Sequence, residues 1–436
     1  MKLSVQMAVA LTIGGVCGEN ISFISDPGVY GPPLEVAHAY YGQWPTGITV
    51  SSTGRMFSNY PGGLDPSNTY NGSNDVYTVG ELTGLTAEMA YPTLEMNHPP
   101  GGAINYSTTP PTGANYQDYL IGVQSVVIDP SDRLWILDTG RVLTPEGVLV
   151  SATYGGPKLV GVDLATNQVF KTIVFPSTVA YGDSYLNDVR FDLRPNVSES
   201  GQGVAYITDS SASGHNAIII VDLGSGNSWR HLDQTDSVRT ESQFLPFQWG
   251  QPLYYTDAGK PFTFFPLGSD GIALSADGET LYWSPVGSRY MYSAPTSRLR
   301  DQGPASELMA QQSVVNHGQK GVSDGLESDS NGLVYVGNNE GNAINVFHAS
   351  NGTTLPFVRD PRINWVDTSQ YLLRPKHPGE SANWIPVSVA SDGYLYFTVN
   401  QLSLSSSTYP GTDRRVRPFA LFKAPLPNGG KKVELE

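Results

Sequence analysis

Two short runs, Ser269-Asp270-Gly271 and Ser323-Asp324-Gly325, each place a carboxylate just ahead of an apolar segment. Asn187-Asp188 and Gln124 hold the same position ahead of VRFD and SVVI, Pro45-Thr46 ahead of GITV, and Trp384-Ile385 ahead of PVSVA. Brought to one place, Asn187, Asp270 and Asp324 are hard oxygen donors of the kind that hold Ca²⁺ or Mg²⁺. Such an ion would polarise a lactone carbonyl or acidify a bound water. Without a metal, Asp270 and Asp324 would pair with an ammonium, Trp384 or Trp44 would stack on an aromatic ring, and Gln124, Asn187, Asp188 and Thr46 would orient it. His317, shortly before Asp324, is the candidate general base. An Asp before Gly is also what a tight turn asks for, and a turn would recur for that reason alone.

The elements that must position these residues are hairpins. In VQSVVIDPSDRLWILDTG (Val123–Gly140), two β-branched and aromatic runs flank Asp129-Pro130-Ser131-Asp132, where proline presets φ and the Asp and Ser side chains bond the local backbone. The design of strand, Asp/Ser/Gly turn and Tyr- or Trp-bearing strand returns at Gly47–Ser58, Leu186–Thr208, Asp270–Ser284, Asp324–Gly337 and Val387–Asn400. Six copies separated by some tens of residues, none able to bury both faces alone, predict an all-β, six-bladed β-propeller. Residues just before each innermost strand then ring one mouth of the central channel, which is where the polar positions above fall. Ring closure needs the two ends of the chain in one blade, so Leu34–Tyr41 is expected beside Pro418–Lys423.

Composition narrows the function. A net charge of −15 argues against nucleic acid or an anionic membrane surface, both of which are held by basic patches. Lys2, the apolar run Val5–Val16 and the small residues ahead of Glu19 read as a secretory signal peptide over residues 1–18, followed by one propeller domain over 19–436. No other segment is a candidate membrane span. The single cysteine, Cys17, lies inside that leader, so the secreted, monomeric product would depend on core packing and strand closure rather than disulfides. Sequons at Asn20, Asn71, Asn105, Asn196 and Asn351 permit glycosylation in that compartment.

Four blocks, VQSVVIDPSDRLWILDTG, SDGIALSADGETLYWSP, VSDGLESDSNGLVYVG and SDGYLYFTVNQL, resemble the yellow / major royal jelly protein family in the family's order. The ending RPFALFKAPLP resembles fungal members, and the absence of cysteines from the mature chain departs from the insect pattern. The resemblance implies a secreted six-bladed propeller. It brings mixed functions: conversion of dopachrome-like compounds, binding of biogenic amines, and nutritive or structural roles. The blade pattern is also similar to the gluconolactonase/regucalcin propellers, which are metal-dependent lactonases. That group has a metal-binding Glu ahead of its first blade strand, where this chain has Gln43-Trp44-Pro45-Thr46. The expected function is therefore a small-molecule site at the channel mouth, binding and converting an aromatic or lactone-bearing metabolite as an isomerase, tautomerase or lactone hydrolase. A non-catalytic extracellular ligand-binding or structural protein is the alternative.

Three motifs fail on context. Gly321-Val322-Ser323-Asp324-Gly325 has the G-x-S-x-G spacing but precedes a hairpin instead of a helix. Glu327–Asn338 begins like a calcium loop but ends in Asn. The seven histidines show no zinc spacing.

Overall fold

The computed structural model describes residues 24–257, 259–370 and 393–436. Six four-stranded antiparallel sheets form the blades of a propeller. Their innermost strands are Ile48–Val50, Val123–Ile128, Leu186–Asp192, Ser269–Leu274, Leu326–Ser328 and Val366–Gln370 for blades one to six. Each inner strand packs against those of the neighbouring blades, closing a ring around the channel. Burial falls from the axis outward, and the residue pattern follows it. Val123–Ile128 is buried at every position, whereas the outermost strand of the same blade, Gln168–Val174, is mostly exposed. A strand covered on both faces needs a continuous apolar run; an outer strand tolerates Gln and Lys.

The recurrent turn has a common construction. In blade two, Asp129 accepts from the backbone N–H of Arg133 at 3.0 Å and from Trp135 Nε1 at 2.7 Å. In blade five, Asp329 accepts from Leu333 N at 3.0 Å and from the Tyr335 hydroxyl at 3.2 Å. One carboxylate thus closes the turn and satisfies the buried polar atom of the aromatic that follows. That requirement explains why Asp and Trp or Tyr recur six residues apart.

Closure takes the expected form. Glu35–Tyr40 is the outermost strand of blade six and pairs antiparallel with Phe419–Pro425, with Glu35 opposite Lys423 and Tyr40 opposite Phe419. Tyr40, Trp44, Tyr60 and Trp365 pack in one cluster across the seam between blades six and one. The last segment then crosses the end of the channel opposite the mouth. Leu435 O accepts from Leu193 N at 2.7 Å in blade three, Lys431 O accepts from Ser330 N at 2.8 Å in blade five, and Lys432 Nζ donates to Ile128 O in blade two.

One strand assignment is corrected. The inner strand of blade six is Val366–Gln370, paired with Tyr394–Val399, rather than the run beginning at Val387. Trp384, Ile385 and Val387 lie outside the described residues, as do the predicted leader 1–18 and Asn20. Among the described residues no helix is long and apolar enough to cross a membrane.

Candidate functional site

The mouth residues sit where the inner strands lose regular pairing. Register shifts fall between Val123 and Ser125, Leu186 and Val189, Ser269 and Ile272, and Val366 and Ser369. Gln124, Asn187-Asp188, Asp270-Gly271 and Asp367 occupy those shifts. A bulge re-aims a side chain that the regular pleat would point elsewhere, so these polar residues turn toward the axis while the strands continue as core. Asp270 therefore lies within a strand and not in a tight turn. Gly271 permits the close approach of blades four and five, since a Cβ there would stand 2.3 Å from the Asp324 carbonyl oxygen.

These residues form the floor of a cavity of about 450 Å³, lined among others by Gln124, Asn187, Asp270, Asp324 and Asp367. Arg141, Tyr185, Tyr255, Phe262, Phe265 and Leu402 make its walls. Asn187 Nδ2 donates to Asp270 and, at 2.9 Å, to Ser210 Oγ. Trp365 Nε1 donates to Asp324 Oδ2 at 2.6 Å, Asn400 Nδ2 to Asp367 Oδ2 at 2.7 Å, and the Tyr185 hydroxyl to Gln124 Oε1 at 2.9 Å. Behind the floor, Asp188 accepts from Ser125 Oγ at 2.9 Å and from Arg190 at 3.0 Å, and Arg190 also reaches Glu327 at 3.3 Å.

The floor is rich in buried carboxyls. Asp188, Asp270, Asp324 and Asp367 are each no more than 5% exposed. Among the described residues Asp188 and Glu327 pair with the Arg190 guanidinium, and the Lys432 ammonium also acts on Glu327. Burial, then the neighbouring carboxylates of Asp324, Asp367 and Asp188, hold the Asp270 carboxyl well above the usual range. Burial also pushes Asp324 up to about 6, against the opposing pull of the Trp365 N–H and of its hydrogen bond with Asp270. Both carboxyls are thereby held toward the protonated form, because two buried like charges side by side cannot both ionise cheaply.

Several nominated residues lie elsewhere. His317 is on the outermost strand of blade four, bonded to Ser293 Oγ at 2.8 Å and set against Tyr282 and Phe347. It packs a blade and does not reach the mouth. Trp44 is buried in the closure cluster, donating to Asn400 O at 2.7 Å with the Arg415 guanidinium over its ring, so it is not a platform for a ligand. Thr46 accepts from Asn59 Nδ2 at 2.8 Å inside the wall between blades one and two. Asp188 stands behind the floor as a charge acting on Asp270 and Asp324. The sixth-blade position given to Trp384 belongs to Trp365 and Asp367. Asn364-Trp365-Val366-Asp367 and Asn383-Trp384-Ile385-Pro386 are alike in sequence. The carboxylate two residues after the tryptophan, matching the other blades, was the signal that separates them. Of the remaining sequons, Asn71, Asn196 and Asn351 are exposed and Asn105 is half-buried.

Of the three side chains proposed as metal ligands, Asn187 donates its amide to Asp270 and Ser210, and Asp324 accepts from Trp365. Among the described residues no three His, Cys, Asp or Glu side chains converge at metal-ligand spacing.

Residues 121–360 match the family model described as "Major royal jelly protein". Similar curated proteins include major royal jelly protein 5 of Apis mellifera, 28% identical over 181 residues, 41% of this chain and 27% of the relative. Protein yellow of Drosophila pseudoobscura pseudoobscura is 26% identical over 230 residues, 50% of this chain and 37% of the relative. The chain spans well under half the length of these relatives. Among solved structures, a luciferin-regenerating enzyme aligns over 93% of this chain and 100% of its own, with a TM-score of 0.49 and 10% identity. A calcium-binding regucalcin of Agrobacterium tumefaciens aligns over 92% and 97%, with a TM-score of 0.47 and 12% identity.

Proposed function

This chain belongs to the major royal jelly protein family, and we propose that its channel mouth binds a small aromatic molecule through a cationic or proton-donating group and moves a proton on it. The observation that carries this reading is the pair of buried carboxyls, Asp270 and Asp324, at the floor of an aromatic-walled cavity. A pair of buried carboxyls attracts a proton or an organic cation.

The chemistry follows from the pair. Ionised Asp324 takes a proton from an acidified C–H or O–H of the bound molecule, and protonated Asp270 delivers its own to the conjugate position. The molecule leaves as its tautomer with no net gain or loss of protons. The pair still holds one proton, which returns to Asp270 along their shared hydrogen bond. Trp365 and Asn187 hold the two carboxyls in place through their N–H donors, and Phe262, Phe265 and Tyr255 offer the ring a surface at typical small-ligand cavity size. A molecule with an ammonium and no labile proton is bound without turnover, which is the non-catalytic reading of the same site. We place this activity in the secreted, monomeric form left after removal of residues 1–18.

The test combines ultraviolet assays of keto–enol exchange, on phenylpyruvate and other aryl keto acids, with hydrolysis of aryl and sugar lactones, each with and without EDTA. Tautomerisation insensitive to EDTA and lost in Asp270→Asn supports the proposal. Lactone opening abolished by EDTA and restored by Ca²⁺ overturns it in favour of a metal site. Binding of aromatic amines without turnover of any substrate leaves a carrier and removes the catalytic step.

A further inference from the structure

Arg141 is a buried cation whose partners are all neutral. It follows the second strand of blade two, is 8% exposed, and lines the same cavity as the carboxylate floor. Its Nε donates to Val150 O at 2.9 Å, and its Nη1 donates to Asp183 O at 2.9 Å and Ser184 O at 3.4 Å. Other buried arginines are matched by acids: Arg190 by Asp188 at 3.0 Å and Arg230 by Asp209 at 2.9 Å. Among the described residues no carboxylate pairs with Arg141. The Asp183 carboxylate is bonded to His215 at 2.7 Å, and Glu146, on the rim, is turned to the Thr144 hydroxyl. Burial pulls the Arg141 pKa down, against the Tyr185 hydroxyl and the Asp183 and Asp209 carboxylates in its field, of which Asp183 is bonded to His215 and Asp209 to Arg230. Guanidinium nevertheless stays charged in proteins, and a desolvated charge held only by carbonyls retains an unmet preference for an anion.

The cavity therefore carries opposite unmet charges at two places, negative at the Asp270–Asp324 floor and positive at Arg141. We propose that Arg141 anchors a carboxylate on the occupant, so that the ligand class is amphoteric: an aromatic body bearing both an ammonium or acidic proton and a carboxylate. The inference rests on the aromatic-ligand reading of the floor and adds the second anchor. It distinguishes an aromatic amino or keto acid from the simple amine with the same ring.

Titration calorimetry at pH 7.5 with phenylalanine, 2-phenylethylamine and 3-phenylpropionate separates the two ideas. Wild-type protein is expected to bind phenylalanine roughly ten- to a hundredfold more tightly than 2-phenylethylamine, the ratio that one charge-assisted hydrogen-bonded pair supplies. Arg141→Met should remove that preference, and Arg141→Lys should keep part of it. Equal or weaker binding of phenylalanine by wild type overturns the Arg141 anchor alone, as does a preference that survives Arg141→Met. Failure of wild type to bind any of the three overturns the reading of the floor and the anchor with it. Should Arg141→Met fail to fold, the wild-type comparison and Arg141→Lys still decide.

Discussion

At the scale of single residues, two carboxyls titrate higher in the folded chain than in the unfolded one. Asp324 rises from 3.8 to about 6, and Asp270 moves in the same direction. The folded state thus binds more protons than the unfolded state across that window. The stability associated with Asp324 is complete below pH 4 and declines as pH rises through 6, by about 3 kcal/mol at most. Asp324→Asn keeps an acceptor for Trp365 Nε1 and removes the penalty. Its melting temperature should exceed wild type by several degrees at pH 8 and match it at pH 4, in paired thermal scans. A variant destabilised at pH 8 would show that the Asp324 charge is compensated in the folded chain and contradict the assignment. Asp270 and Asp324 were legible in the sequence because two blades repeat Ser-Asp-Gly. Asp367 and Arg141 were not: one follows a Trp in a blade without that glycine, and the other gains meaning only from what the fold leaves unpaired.

At the scale of elements, the distance between sequence and structure lies in the bulges. Alternation and turn residues predict where each hairpin runs, and the inner hairpins of blades two to five fall within a residue or two of expectation, whereas the outermost strands Ser228–His231, Val315–Gln319 and Thr353–Arg359 carry no such pattern. The register shifts at Gln124, Asn187-Asp188 and Asp270 leave no mark in a period-two pattern, so an Asp inside a strand looks like an Asp in a turn. Blade six misled for a different reason. The run VSVASDGYLYF is a continuous strand–turn–strand pattern, whereas the inner strand Val366–Gln370 is separated from its partner Tyr394–Val399 by a long segment. Contiguity favours the wrong pairing. Gly271→Ala tests the bulge in blade four, because the new Cβ would press on the Asp324 carbonyl oxygen and on Leu326. A loss of about 1–3 kcal/mol in urea unfolding is expected, together with weaker ligand binding as Asp270 shifts against Asp324. Wild-type stability in this variant would mean that the two inner strands separate without strain.

At the scale of the whole molecule, the ring is fastened twice. Pairing of Glu35–Tyr40 with Phe419–Pro425 joins the ends within blade six, and this was legible because closure demands it. The crossing of the far end by Lys431–Glu436, with Leu435 buried among blades three and four, was not legible: a short charged tail offers no pattern of its own. Removing residues 431–436 exposes that leucine's site and frees two backbone bonds. The urea midpoint should fall by the equivalent of about 2–4 kcal/mol, with ligand affinity at the opposite mouth unchanged; an unaltered midpoint would make the tail incidental. The central claim is that the acidic floor receives a cationic aromatic ligand, and one titration tests it most directly. Binding of 2-phenylethylamine should be followed by calorimetry from pH 5 to pH 8, in wild type and Asp324→Asn. The account predicts that wild-type affinity rises as pH passes through about 6, and that Asp324→Asn is weaker and has lost this step. Affinity independent of pH, or equal in the two proteins, would contradict it.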